Sequence, residues 1–255
     1  MVKDPCLFSL VTLEGLPVLD NHCHIDPRNG EGIEAVEKFA RSGGTHMCIV
    51  NKPSWSLGVE ADEGEDFRAV FEEAVGVVEE ASDVLEGEAF AVLGVHPALV
   101  SRLLGRYGGP QNDEAVERTE EVMKAGLDVA AEYVEDGRAV ALKSGRPHYD
   151  VKDPTWEASN EIMRHAFELG TEHGCPVQLH TESGEDFSDI REMAEGVGMS
   201  PDKVVKHYSS PAVSAVQRSV LARKEWALEA AEDGRDFFLE TDYIDDPDRP
   251  GAVLG

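Results

Sequence analysis

Short apolar runs alternate with amphipathic stretches along nearly the whole chain, and this alternation limits the fold more than any other feature. The runs cover residues 18–26, 45–51, 90–96, 139–143, 175–181, 204–209 and 236–243, with a seventh in chain order around 219–222. Runs of this length, apolar on both faces and punctuated by Gly or Pro, suit strands of a parallel sheet covered on both sides. Between them, residues 33–41, 66–85, 114–135, 154–173, 187–196 and 223–232 carry apolar positions at three-four spacing, which predicts helices. Residues 105–110 are glycine-rich and read as a loop, and 211–222 must hold a reduced helix before the seventh strand. Eight strands with intervening helices in 255 residues predict one (β/α)8 TIM barrel spanning 1–255 as a single domain. An open doubly wound sheet is the competing topology, but no Gly-x-Gly-x-x-Gly fingerprint follows any strand. The last stretch, DPDRPGAVLG at 246–255, is too rich in Pro, Gly and Asp for an eighth helix, so the final helix is expected to be missing. Either its position is uncovered, or a partner covers it, or the natural chain is longer.

In a parallel barrel the C-terminal strand ends share one rim, and that rim carries the active site. The first strand ends in Asn21-His22-Cys23-His24, and side chains two apart on a strand share a face, so His22 and His24 project together while Cys23 points away. The other strand ends bring Lys143, His180, His207 and Asp242 to the same rim. Neutral imidazoles and a carboxylate are good ligands for zinc, manganese, iron or nickel, with magnesium a harder alternative. His96, Arg146 and His148 are candidates for gripping an anionic substrate, since both residue types can donate to an oxyanion. Arg146 has a second reading as the partner of an acidic neighbour. Glu182 is read as a substrate contact or a helix cap, Lys52 and Trp55 as mouth residues or plain surface, and Asp245 and Asp246 as turn residues without a function.

Charge narrows the partners. The chain carries 51 acidic against 23 basic residues, a formal net charge of -28 dispersed along its length. Such a surface repels polyanions over about 8 Å at physiological salt and disfavours gripping a long duplex through a basic face. A small anionic substrate or a short nucleic-acid end remains compatible, because a bound cation dominates its local field. Dispersed acidity also suits a salty cytoplasm, where it maintains solubility. Four cysteines without a Cys-x-x-Cys pair read as reduced thiols, and no secretory signal or 18-residue apolar run is present. A cytoplasmic protein without a membrane span is expected, with oligomerisation left open.

The motifs DNHCHID at 20–26, GVHP at 94–97, SGRPHY at 144–149, VQLHTESG at 177–184, KHYS at 206–209 and ETDYIDDPDRPGAVLG at 240–255 resemble those of TatD-related metal-dependent hydrolases. These are amidohydrolase-type proteins, and the archaeal form is the nearest in pattern. The resemblance covers essentially the whole chain and implies a binuclear site. His22, His24 and Asp242 would hold the more buried metal, and His180 and His207 the more exposed one. It also implies phosphoester hydrolysis, deoxyribonuclease activity included, with Asp242 orienting the attacking water and taking its proton. The tail of that branch normally runs on into a final helix.

This chain departs from the pattern at strand four. The family has a metal-bridging glutamate two residues before the glycine corresponding to Gly145, where this sequence has Lys143. An ammonium has three donors and no lone pair, so it cannot ligate. A lysine carboxylated by carbon dioxide is an anionic two-oxygen group that can bridge metals, as in phosphotriesterase-like and dihydroorotase-like branches, provided its pKa is lowered. That reading favours an amide, lactone or phosphotriester hydrolase as the alternative function. A charged Lys143 with one metal or none leads instead to a non-catalytic metal-binding protein.

Overall fold

The computed structural model describes residues 15–246. The elements in chain order are β1 (Leu19–His24), α1 (Ile33–Arg41), β2 (His46–Val50), α2 (Arg68–Val84), β3 (Ala89–Gly94), α3 (Leu99–Tyr107), α4 (Asp113–Glu135), β4 (Ala141–Gly145), α5 (Asp153–Glu172), β5 (Val177–His180), α6 (Ser188–Gly196), β6 (Val204–Ser209), β7 (Gln217–Leu221), α7 (Lys224–Glu232), β8 (Phe238–Glu240) and β9 (Tyr243–Ile244). All neighbouring strands are parallel, in the order β8-β7-β6-β5-β4-β3-β2-β1-β9. Only Thr241 and Asp242 separate β8, which pairs with β7, from β9, which pairs with β1. The two edges of the sheet are therefore one short segment of chain, and the sheet curls into the expected barrel.

Local chemistry explains why the helices start where they do. Asn112 caps α4 by accepting the Glu114 N–H at 3.1 Å, and Pro154 occupies the first turn of α5, where its missing N–H is harmless. α2 buries Val70, Phe71, Ala74, Val75, Val77 and Ala81 and turns its glutamates outward. Strand alternation then makes two apolar layers. Leu93, Leu142 and Leu179 pack outward with Phe71, Leu127, Met163 and Phe167 of the helices. Cys48, Val50, Val92 and Ala141, with Leu19 and Phe90, form a separate cluster from the alternate positions, which plugs the barrel interior below the rim. Each fully buried Leu or Phe stabilises the fold by about 1.5–3 kcal/mol.

Several sequence expectations need correction. The glycine-rich loop expected at 105–110 is shorter, because α3 runs to Tyr107 and holds Gly105; Leu99, Val100, Leu103 and Leu104 bury one face at helical spacing. Among the described residues no helix joins β6 and β7. The last strand is split, since Asp242 adopts a left-handed φ of 49° that breaks the ladder. Asp245 is not an idle turn residue. Its buried carboxylate accepts the N–H groups of Asp26 (2.9 Å), Glu31 (2.7 Å) and Gly32 (2.8 Å) and so ties the segment after β9 to the loop after β1. Gly30 must be glycine there, because a Cβ would lie 2.1 Å from the Asp245 carboxyl carbon. Most of the expected DPDRPGAVLG tail lies outside the described residues.

Candidate metal centre

β1 delivers His22 and His24 to the rim, and each imidazole is oriented from behind. His22 Nδ1 lies 2.8 Å from Gln178 Oε1, and the Gln178 amide is itself fixed by donating to Asn21 O at 2.9 Å. An amide oxygen only accepts, so Nδ1 carries the proton and Nε2 presents its lone pair. That Nε2 is buried and has no hydrogen-bond partner. His24 Nδ1 lies 2.8 Å from the carbonyl of Val50, which selects the same tautomer. On β6, His207 Nδ1 lies 2.7 Å from Glu240 Oε1, off the hydrogen-bond line and without another partner. Backing of histidines by carbonyl and carboxylate groups is the usual support of a metal site.

The rings converge. His22 stacks on His207 at 3.6 Å between centroids and meets His24 edge-on at 5.1 Å. Potential ligand atoms of His22, His24 and Asp242 lie within 4.8 Å of one another, and those of His22, His207 and Glu240 form a second such group. His207 Nε2 is 3.8 Å from Asp242 Oδ1. Burial, assisted by neighbouring His207 and Lys143, pushes the His22 pKa well below the usual histidine value, and burial does the same for His24. Both are therefore neutral, as ligation requires. Burial raises the Asp242 carboxyl, with His207 and Lys143 opposing. The buried, unpartnered His22 Nε2 and the neutral His24 imidazole beside a carboxylate fit a divalent cation.

The β4–β5 side is arranged differently. Lys143, buried in register with Gly94 and Gln178, has no hydrogen bond or ion pair on Nζ among the described residues. Burial lowers its pKa to about 8, against the opposing pull of Asp242 and Glu240. The strands meet closely here: a Cβ at Gly94 would lie 1.9 Å from Lys143 O, and one at Gly145, whose φ is +142°, 1.9 Å from His180 O. His180 Nε2 is 2.9 Å from His148 Nδ1. Its pKa is held far below the histidine range by burial, then by His96 and Lys143. His96 sits 4.8 Å from the His180 ring, and its Nδ1 accepts the Ala98 N–H at 3.2 Å, which leaves Nε2–H as a donor.

His22, His24, Lys143, His180, His207 and Asp242 are thus gathered at one rim, with His96 and His148 beside His180. Arg146 is not among them. Its guanidinium is buried between Glu182, Asp189 (2.5 Å) and Asn160 (3.3 Å) and lies 4.3 Å from the Trp156 ring. The acidic-neighbour reading of Arg146 describes that geometry, and Glu182 spends its carboxylate on Arg146 and Thr181. Lys52 pairs with Asp26. Sequence reasoning missed Gln178, Glu240 and a second buried lysine, Lys206, whose Nζ donates to His207 O at 2.5 Å and whose pKa burial lowers to about 8. The signal for the first two was present. Gln178 and Glu240 each precede a ligand candidate by two residues, so they share its face.

A parallel barrel with this cluster at its C-terminal rim defines a metal-dependent hydrolase. The chain belongs to the TatD-related DNase family, whose model matches residues 19–254. An uncharacterized protein of Methanocaldococcus jannaschii is 36% identical over 250 residues, 95% of this chain and 85% of that one. Among solved structures, a TatD-like protein from Archaeoglobus fulgidus aligns with TM-score 0.55 at 18% identity, covering 88% of this chain and 84% of its own. A mutant PTE-like lactonase from Deinococcus radiodurans aligns with TM-score 0.57 at 14% identity, covering 91% and 79%. At these identities the two structures share the fold. Among the described residues no helix is long and apolar enough to cross a membrane.

Proposed function

We propose that the protein hydrolyses small anionic esters, phosphoesters first, at a two-metal centre in which carboxylated Lys143 takes the bridging place of the family's glutamate. The observation that carries this reading is Lys143 itself, a buried amine beside the histidines with no hydrogen bond or ion pair on Nζ among the described residues, its pKa lowered by burial to about 8. Close to neutral pH an appreciable fraction of such an amine is uncharged. Its nitrogen can add to carbon dioxide, forming one C–N bond and releasing one proton, to give a carbamate. Zinc is the preferred metal on this imidazole-rich set, with manganese, nickel, iron or magnesium as competitors.

When bound, the metals would supply a water of lowered pKa and polarise the ester oxygen. The protein would do the rest. His22, His24 and Asp242 would hold one metal, His180 and His207 the other, and the Lys143 carbamate both. Asp242, its carboxyl raised by burial, is suited to accept the proton of the attacking water and return it to the leaving group. His96 Nε2–H is a donor for the substrate's developing negative oxygen, and exposed His148 would leave His180 to do the same. Arg146 is proposed to act at one remove, by fixing Glu182. The net charge of -28 favours small substrates or short nucleic-acid ends over long duplexes.

The family's description as a DNase supports phosphoester cleavage. Lysine at position 143 favours a second reading, lactone or phosphotriester hydrolysis, the first of which is named for the Deinococcus relative. Metal content and intact mass of protein grown with zinc and bicarbonate test the centre. Two metals per chain, and crystallographic density beyond Lys143 Nζ, are expected. Lys143→Glu should keep two metals and Lys143→Met should not. One metal or none, with a bare ammonium and no turnover of p-nitrophenyl phosphodiesters, lactones or short oligonucleotides, would establish a non-catalytic metal-binding protein instead.

A further inference from the structure

Tyr208 follows His207 on β6 and has a φ of 50°; Asp242 is the other non-glycine residue with positive φ among the described residues. A bulky side chain rarely adopts this conformation, whereas glycine takes it without strain. The backbone has a local use, since Tyr208 N–H donates at 2.7 Å to Glu240 Oε1, the same oxygen that faces His207. That bond needs no ring. Yet the ring is present, 44% exposed, and its hydroxyl has no protein partner among the described residues. It stands edge-on to His207 with centroids 6.0 Å apart and edge-on to Trp226 at 6.3 Å. Trp226 lies in the first turn of α7, directly beyond β7 on the rim that carries the histidines, with the Arg223 guanidinium 5.9 Å from its ring.

A bulky, exposed ring kept at a strained rim position, where glycine would serve the backbone as well, points to a ligand. We infer that Tyr208, backed by Trp226, is a substrate-contacting residue that selects esters bearing a flat aryl group on the part of the molecule that does not react. The inference rests on the hydrolase reading and adds a substrate class to it. An aryl group laid on the exposed ring gains stacking that a saturated ring of similar size lacks, an advantage of about tenfold in binding.

The test uses two p-nitrophenyl phosphodiesters that differ only in the second substituent, phenyl or cyclohexyl, so the bond broken and the leaving group are shared. The metal-loaded wild-type protein is expected to favour the phenyl ester about tenfold in kcat/KM, mainly through KM. Tyr208→Gly removes the ring, relieves the φ strain and keeps the N–H for Glu240; it should lose the preference without a lower melting temperature. Tyr208→Phe should retain it. A Tyr208→Gly protein that still prefers the phenyl ester overturns the inference. Calorimetry with phenylphosphonate and cyclohexylphosphonate separates this from failure of the hydrolase reading. If neither ester is cleaved but phenylphosphonate binds more tightly in a Tyr208-dependent way, the aryl contact stands and the hydrolase reading falls. Equal binding of the two phosphonates by the wild-type protein overturns the inference whatever the turnover.

Discussion

The two sides of the histidine cluster are built to different standards of readiness. On the side formed by β1, β6 and the β8–β9 junction, His22 and His24 have their Nδ1 atoms fixed by Gln178 and Val50, and Glu240 stands against that of His207. On the β4–β5 side, His180 Nε2 is engaged with His148, and Lys143 is a buried amine with no partner among the described residues. The first side is a candidate ligand group whose imidazoles are already oriented. Under the proposed two-metal reading, the second would become a ligand set once the His180–His148 contact opened and Lys143 gained negative charge. One metal should therefore bind to a preformed half-site and the second should depend on chemistry that completes the other half.

Four changes sharpen or break that comparison. The largest effect is expected from His24→Ala, which removes a proposed ligand from the preformed side. Metal titration and turnover should both fall by more than about 100-fold, beyond the range for losing a supporting residue. Gln178→Leu leaves the ligands in place but frees the His22 tautomer, and metal affinity measured by competition with a chelator should fall about 10–100-fold. His148→Ala, on the other side, should leave the first metal's affinity unchanged; an equal loss of both metals would erase the distinction between the sides. Asp245→Ala strands three backbone N–H groups of the loop that follows His24. Reversible denaturation should show a loss of about 1–3 kcal/mol for the burial of unsatisfied donors.

A separate test concerns pH in the metal-free protein. His22, His24, His96 and His180 have folded pKa values below the unfolded value near 6.5. Below that pH the unfolded chain binds more protons than the folded one, so stability falls as pH drops, by up to about 1.4 kcal/mol per unit for each histidine. Asp20, raised by burial to about 6, acts in the opposite sense between its unfolded value of 3.8 and 6, because there the folded state binds the extra proton. It offsets about one histidine. Chelator-treated protein should therefore lose stability on acidification from pH 7 to 5, and metal-loaded protein, whose histidines are held neutral, should lose more because protons also displace the metal. Chemical denaturation across that range reads both slopes.

The arrangement of strands was legible in the sequence because both-face apolar runs and helical periodicity are local patterns set by burial. The rim residues were legible for a related reason, since parallel strands all end on one side. Two errors have the same physical origin. α3 was hidden because Gly105 reads as a helix breaker, whereas burial of Leu99, Leu103 and Leu104 outweighs its cost of about 1 kcal/mol. Asp245 looked idle because its three bonding partners are more than 200 residues away in the chain.

By itself the sequence determined that eight parallel strands would bring imidazoles, one carboxylate and one lysine to a common rim, because strand direction and two-residue alternation follow from backbone geometry. What only the tertiary structure decided was the state of those groups. Which nitrogen of each histidine is free depends on an acceptor from another strand, Gln178 on β5 for His22 and Val50 on β2 for His24. The lowered pKa of Lys143 depends on how completely its neighbours exclude water. Arg146 is removed from the cluster by partners on α5, α6 and the loop after β5, two of which lie more than 30 residues away. Tautomer, proton affinity and accessibility are properties of an assembled environment, and no single strand carries them.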